Sequence, residues 1–87
     1  MKLEPAEMTP VINRIKRAQG QLNGILRMLE EGRECEDVVT QVAAVSRALD
    51  KAGFAIVSIG LQQALNSPEG MRALDLQRME KLFLSLA

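Results

Sequence analysis

Eighty-seven residues are too few to bury two hydrophobic cores, so the sequence predicts one domain over residues 1–87. Eleven basic side chains balance eleven acidic ones, so attraction to nucleic acid must come from a local patch rather than from the field of the whole chain. No apolar run approaches the ~18 residues of a membrane span and no signal-peptide apolar region is visible, which predicts a cytoplasmic protein with no membrane partner.

The apolar residues are almost all Leu, Ile, Val, Ala and Met, with 2% aromatic, the palette of packed helices. The first helix is expected over about 9–31. Thr9 would be its N-cap and Pro10 its first helical residue, where the missing amide hydrogen costs nothing. Val11, Ile15, Ala18, Leu22, Ile25 and Leu29 recur in alternating steps of four and three, a heptad stripe, until Gly32 offers a stop. The second helix is expected over about 35–66, with Glu36 and Asp37 near its positive end. Its stripe runs Val38, Val42, Val45, Leu49, Ala52, Ile56, Ile59. Ser67-Pro68-Glu69 repeats the cap-plus-proline signature and opens a third helix over about 68–85. The fold class is all-α: three helices per subunit around a long central one.

A helix of ~30 residues is about 45 Å long, against a radius of gyration of roughly 12 Å for a compact domain of this size. The second helix must therefore overhang, and its bare stripe calls for another copy of the chain. A symmetric antiparallel dimer, or a larger homo-oligomer, meets that need. Ser46, Gly53 and Gly60 fall seven apart beside the stripe, spacing that would admit a neighbouring helix closely.

The segment Ile12-Asn13-Arg14-Ile15-Lys16-Arg17-Ala18-Gln19-Gly20-Gln21, followed by Glu30-Glu31-Gly32-Arg33-Glu34-Cys35 and by Asp37-Val38-Val39-Thr40-Gln41, resembles the CsoR/RcnR family of repressors. The resemblance implies a disc-shaped dimer of dimers that binds operator DNA and releases it when an inducer acts at the start of the second helix. Metal sensors of the family carry a Cys at the position of Cys35, plus a His and a further Cys or His where this chain has Gly60 and Ala64. Without a histidine, and with one thiol per chain, a soft cation lacks the two or three S/N donors it prefers, so no metal or other cofactor is expected. Met1 and Met8 are conceivable extra donors, read more simply as N-terminal residues. The wording around Cys35 is closer to the CstR-like branch, which senses reactive sulfur through two cysteines; the second would stand at Ala64. A formaldehyde-sensing branch pairs a Cys here with an N-terminal amine, for which Met1 and Lys2 are the candidates.

Cys35, ringed by Arg33, Glu34, Glu36 and Asp37, suits an exposed helix start better than a core, and thiolate chemistry at helix starts makes it the sensing candidate. For DNA, Arg14 and Arg17 share a face of the first helix with Lys16 beside them, and Arg47 and Lys51 share a face of the second. Taken alone such charges mark a solvated face, and the motif lifts Arg14 and Arg17 above that reading. Gln21 and Gln41 are expected near the sensing site, or else as exposed or helix-packing glutamines. No catalytic constellation is present, so an enzyme is not expected. The expected function is a DNA-binding repressor induced by covalent modification of Cys35. The alternatives are a copper- or metal-responsive repressor of the same family, and a non-DNA helical partner of a cysteine-complete relative.

Overall fold

The computed structural model describes residues 2–87, Ala73 by its backbone alone. It is all-helical, with a 3-10 turn (Pro5–Glu7) followed by α1 (Thr9–Glu30), α2 (Cys35–Leu65), α3 (Pro68–Ala73) and α4 (Leu76–Leu86).

Helix α1 starts one residue earlier than the Thr9 cap predicts. Met8 is the capping residue and makes no side-chain cap bond; its carbonyl accepts the Ile12 amide at 2.8 Å. The preceding 3-10 turn already curls the chain, and the Met8 side chain is buried against Val11 and Ala52. Thr9 and Pro10 thus both lie in the first helical turn, where an absent N–H is still harmless. At the other end Gly32 has φ 70°, Arg33 N–H donates to Met28 O at 3.0 Å and Gly32 N–H to Leu29 O at 3.3 Å. This is a Schellman cap, in which the left-handed residue is a glycine because a Cβ is strained there.

The expected third helix is two. Leu74 (φ −67°, ψ 122°) and Asp75 (φ −116°, ψ 106°) are extended, and Asp75 Oδ1 accepts the Gln77 and Arg78 amides at 3.0 and 3.3 Å, capping α4. The break turns α4 back along α2. Phe83 then meets Phe54 edge to face, centroids 5.3 Å apart, and Leu86 reaches Gly53, where a Cβ would lie 2.7 Å from its Cδ2.

Helices α1 and α2 form an antiparallel hairpin with two small apolar clusters. Met8, Val11 and Ala52 make one; Ala18, Ile25 and Val45 make the other. The heptad stripes are split by this packing. Val11, Ala18 and Ile25 are buried, while Ile15, Leu22 and Leu29, between them in the stripe, are exposed; on α2 Val45 and Ala52 are buried while Val42 and Leu49 are exposed. A two-helix hairpin covers one flank of each stripe and leaves the other bare. As the length argument required, α2 outruns a compact body: the principal extents are 54 × 26 × 13 Å and the radius of gyration is 16.7 Å.

Within the chain itself, two of the positions expected to admit a neighbouring helix are approached by side chains of its own ends. Gly53 receives Leu86, and Gly60 receives Leu3, whose Cδ2 would stand 3.2 Å from an added Cβ. No helix in the described residues is long and apolar enough to cross a membrane.

Candidate functional site

The antiparallel hairpin brings two pairs of cations together that lie thirty residues apart in sequence. Arg14 and Arg17 from α1 and Arg47 and Lys51 from α2 line one groove of about 630 Å³. Its wall also includes Ala18, Ala44 and Ala48, whose short side chains keep it open between the long basic ones. Four of the five cations predicted for DNA contact therefore converge. Lys16 is exposed but does not line the groove.

Among the described residues the ion pairs are Glu69 with Arg72 and Asp75 with Arg78, each at 3.9 Å. No carboxylate is paired with a groove cation, so the groove keeps its positive charge within a chain of zero net charge. The compensating acids are concentrated elsewhere, with Glu30, Glu31, Glu34, Glu36 and Asp37 around the α1–α2 turn.

Gln21 is half-buried on α1. It stands where the basic groove meets a second cleft lined also by Arg27, Met28, Arg33 and Gln41. Its Oε1 is buried and accepts no hydrogen bond. Gln21 and Gln41 share that second cleft, and Cys35 is not part of its lining. Gly20 and Gly24 lie on the same side of α1 as Asn13, Arg17 and Arg27 by their four- and three-residue spacing. A Cβ at either would meet nothing within 4 Å.

Cys35 is the first residue of α2 and is exposed, as predicted. Gly60 is twenty-five residues further along the same helix, about 37 Å away at 1.5 Å per residue. The two cannot meet within one chain. Lys2 lies at the Gly60 end, in a cleft with Glu4, Glu7 and Gln63, at the far end of α2 from Cys35; Met1 lies outside the described residues. Met8 is a core residue, which takes its thioether out of reach as a donor. Among the described residues no three His, Cys, Asp or Glu side chains are grouped to hold a metal ion.

A family model for the metal-sensitive transcriptional repressors matches residues 7–85. The copper-sensing transcriptional repressor CsoR of Mycobacterium ulcerans is 49% identical over 41 residues, 47% of this chain and 35% of that protein. The copper-sensing transcriptional repressor RicR of Mycobacterium tuberculosis is 53% identical over 36 residues, 41% of this chain and 38% of its own length. CsoR of Bacillus subtilis is 42% identical over 43 residues, 49% and 43% of the two chains. The matched stretch spans less than half of each of these relatives. No solved structure matches the chain.

Proposed function

The chain belongs to the family of metal-sensitive transcriptional repressors, and on that premise we propose that it is a cytoplasmic DNA-binding repressor whose operator contact is the groove between α1 and α2. The observation that carries the proposal is the convergence of Arg14, Arg17, Arg47 and Lys51, unpaired, on one groove. Such a surface neutralises phosphates and reads duplex shape rather than inserting a recognition helix. Fluorescence anisotropy with the duplex upstream of the chain's own coding region tests it. Binding that weakens steeply with salt supports the proposal. No binding at low salt overturns it in favour of a helical partner that does not touch DNA.

The bare Gly20 and Gly24 support a close approach on the same side of α1. Each glycine costs about 1 kcal/mol of helix stability relative to alanine, and nothing in the chain itself needs the space. Gly20→Ala and Gly24→Ala are expected to raise the melting temperature and weaken DNA binding. Tighter or unchanged binding in both variants would show that DNA does not come near them.

The oligomer follows from the split stripes. Ile15, Leu22 and Leu29 on α1 and Val42 and Leu49 on α2 are the flank a second hairpin would cover. An antiparallel dimer joined into a disc-shaped dimer of dimers, as the resemblance implies, buries them and repeats the basic groove along a duplex. The contacts of Leu86 with Gly53 and of Leu3 with Gly60 within the chain favour an interface that leaves these two glycines out.

Two inducers compete. The copper-sensing names of the relatives favour a metal-responsive repressor, whereas the exposed thiol at the start of α2 is what supports covalent modification of Cys35. The side chains present do not fit copper: one thiolate, hard carboxylates beside it and no histidine make a poor donor set for a soft cation. Both readings put Cys35 in the response. Cys35→Ala is expected to stay on DNA in the presence of whichever of a persulfide, formaldehyde or Cu(I) releases the parent protein. Equal release of both would remove Cys35 from the mechanism.

A further inference from the structure

The two α2 positions at which metal-sensing relatives would be completed, Gly60 and Ala64, are both covered by the chain itself. Gly60 is buried beside Leu3, whose Cδ2 would stand 3.2 Å from an added Cβ and would have to shift a little to admit one. Ala64 is 4% exposed and lies under Gly70, where an added Cβ would be 2.6 Å from the Ala64 carbonyl oxygen and 2.8 Å from its Cα. The cover over Gly60 is held by directed bonds as well as by contact. Glu4 N–H donates to Gln63 Oε1 at 3.0 Å, and Gln63 Nε2 donates to Glu7 Oε2 at 3.1 Å. One α2 side chain thus grips the N-terminal segment at two points, and Met8 anchors the end of the segment in the core.

We infer that residues 3–8 form a strap that seals the Gly60–Ala64 face of α2 as a packing joint, and that this chain, unlike its copper-sensing relatives, holds no Cu(I). A joint made of Leu3, Gly60, Ala64 and Gly70 offers a cation no sulfur or imidazole donor, and the carboxylates of the neighbouring cleft, Glu4, Glu7 and Glu69, are hard oxygen ligands that suit other metals. Cys35 is left with nothing to complete a site within the chain. An imidazole at residue 60 would have to displace the tip of Leu3, which is itself 39% exposed.

Two measurements on the full chain test the inference, and neither depends on DNA binding, so a failed repressor reading would leave them interpretable. In the first, the protein and its Cys35→Ser variant are titrated with Cu(I) against the chromophoric chelator bathocuproine disulfonate. All copper is expected on the chelator in both cases. One equivalent retained by the parent chain and lost in Cys35→Ser would overturn the inference. In the second, thermal melting compares Gly60→His with Gly60→His in a Leu3→Ala background. The single variant is expected to melt lower than the parent, because the imidazole expels Leu3, and the second change is expected to recover part of that loss. An unchanged or higher melting temperature for Gly60→His would show that no strap is seated there.

Discussion

A chain carrying both Arg14→Ala and Arg17→Ala is expected to lose operator binding at physiological salt while keeping its helical circular dichroism. Both side chains are exposed on the groove wall and neither is ion-paired, so removing them should cost the fold little: surface positions without a structural role change stability by about 0.5 kcal/mol or less. Their loss falls on the counterions. Each phosphate contact contributes about 0.9 to the slope of log affinity against log salt, so the double variant should flatten the slope by roughly 1.8 for every subunit engaged. A dimer or tetramer multiplies the effect, and a surface of about 6–10 contacts loses roughly 10³–10⁵-fold in affinity between about 50 and 200 mM salt. Lys16→Ala is the internal control, because Lys16 does not line the groove, and its slope should change less than that of either arginine. An unchanged slope in the double variant would move the DNA contact to another surface.

Ile25→Ala and Leu26→Asp are neighbours with opposite expected fates. Ile25 is 8% exposed in a cluster with Ala18 and Val45, whereas Leu26 is 56% exposed. The core is thin: among the described residues no large side chain lies below 2% exposure. Truncating a buried isoleucine typically costs about 2–5 kcal/mol, a large share of a total stability of about 5–15 kcal/mol. Ile25→Ala should therefore lower the thermal midpoint steeply, or leave the protein unfolded at ambient temperature. Leu26 touches no core, and a carboxylate there meets water in an isolated chain. In an oligomer that covers the apolar flank of α1, the same carboxylate is buried without a partner. Leu26→Asp is thus expected to dissociate the assembly in sedimentation equilibrium while the helices persist. An assembly that survives Leu26→Asp would place the subunit interface away from this flank.

These expectations draw on different depths of reading. The helix spans were legible because their determinants are local: heptad spacing, Gly32 where a left-handed residue is needed, and Ser67-Pro68 at a helix start. The Leu74–Asp75 break was signalled by an aspartate able to cap, but a leucine-rich apolar face running past it masked the signal. The basic residues were legible as candidates. Their convergence depended on the hairpin register, which sets Arg14 and Arg17 across from Arg47 and Lys51. For Gln21 a place near the sensing site and a place in helix packing were both open, and only the structure puts it on the wall of the basic groove and of the neighbouring cleft.

By itself the sequence determined an all-helical chain, a central helix too long for a compact body, an exposed thiol at the start of that helix and a zero net charge that demands a local patch. Each of these follows from spacing, length or composition, which act over a few residues or over the chain as a whole. Tertiary structure decided which flank of each heptad stripe stays bare, which cations stand together, and that Gly53 and Gly60 accept Leu86 and Leu3 of the same chain. The physical reason is that a periodic stripe specifies a surface but not its occupant. A glycine in a helix admits whatever comes closest, and whether that is a neighbouring subunit or the chain's own end depends on contacts between residues thirty to sixty positions apart.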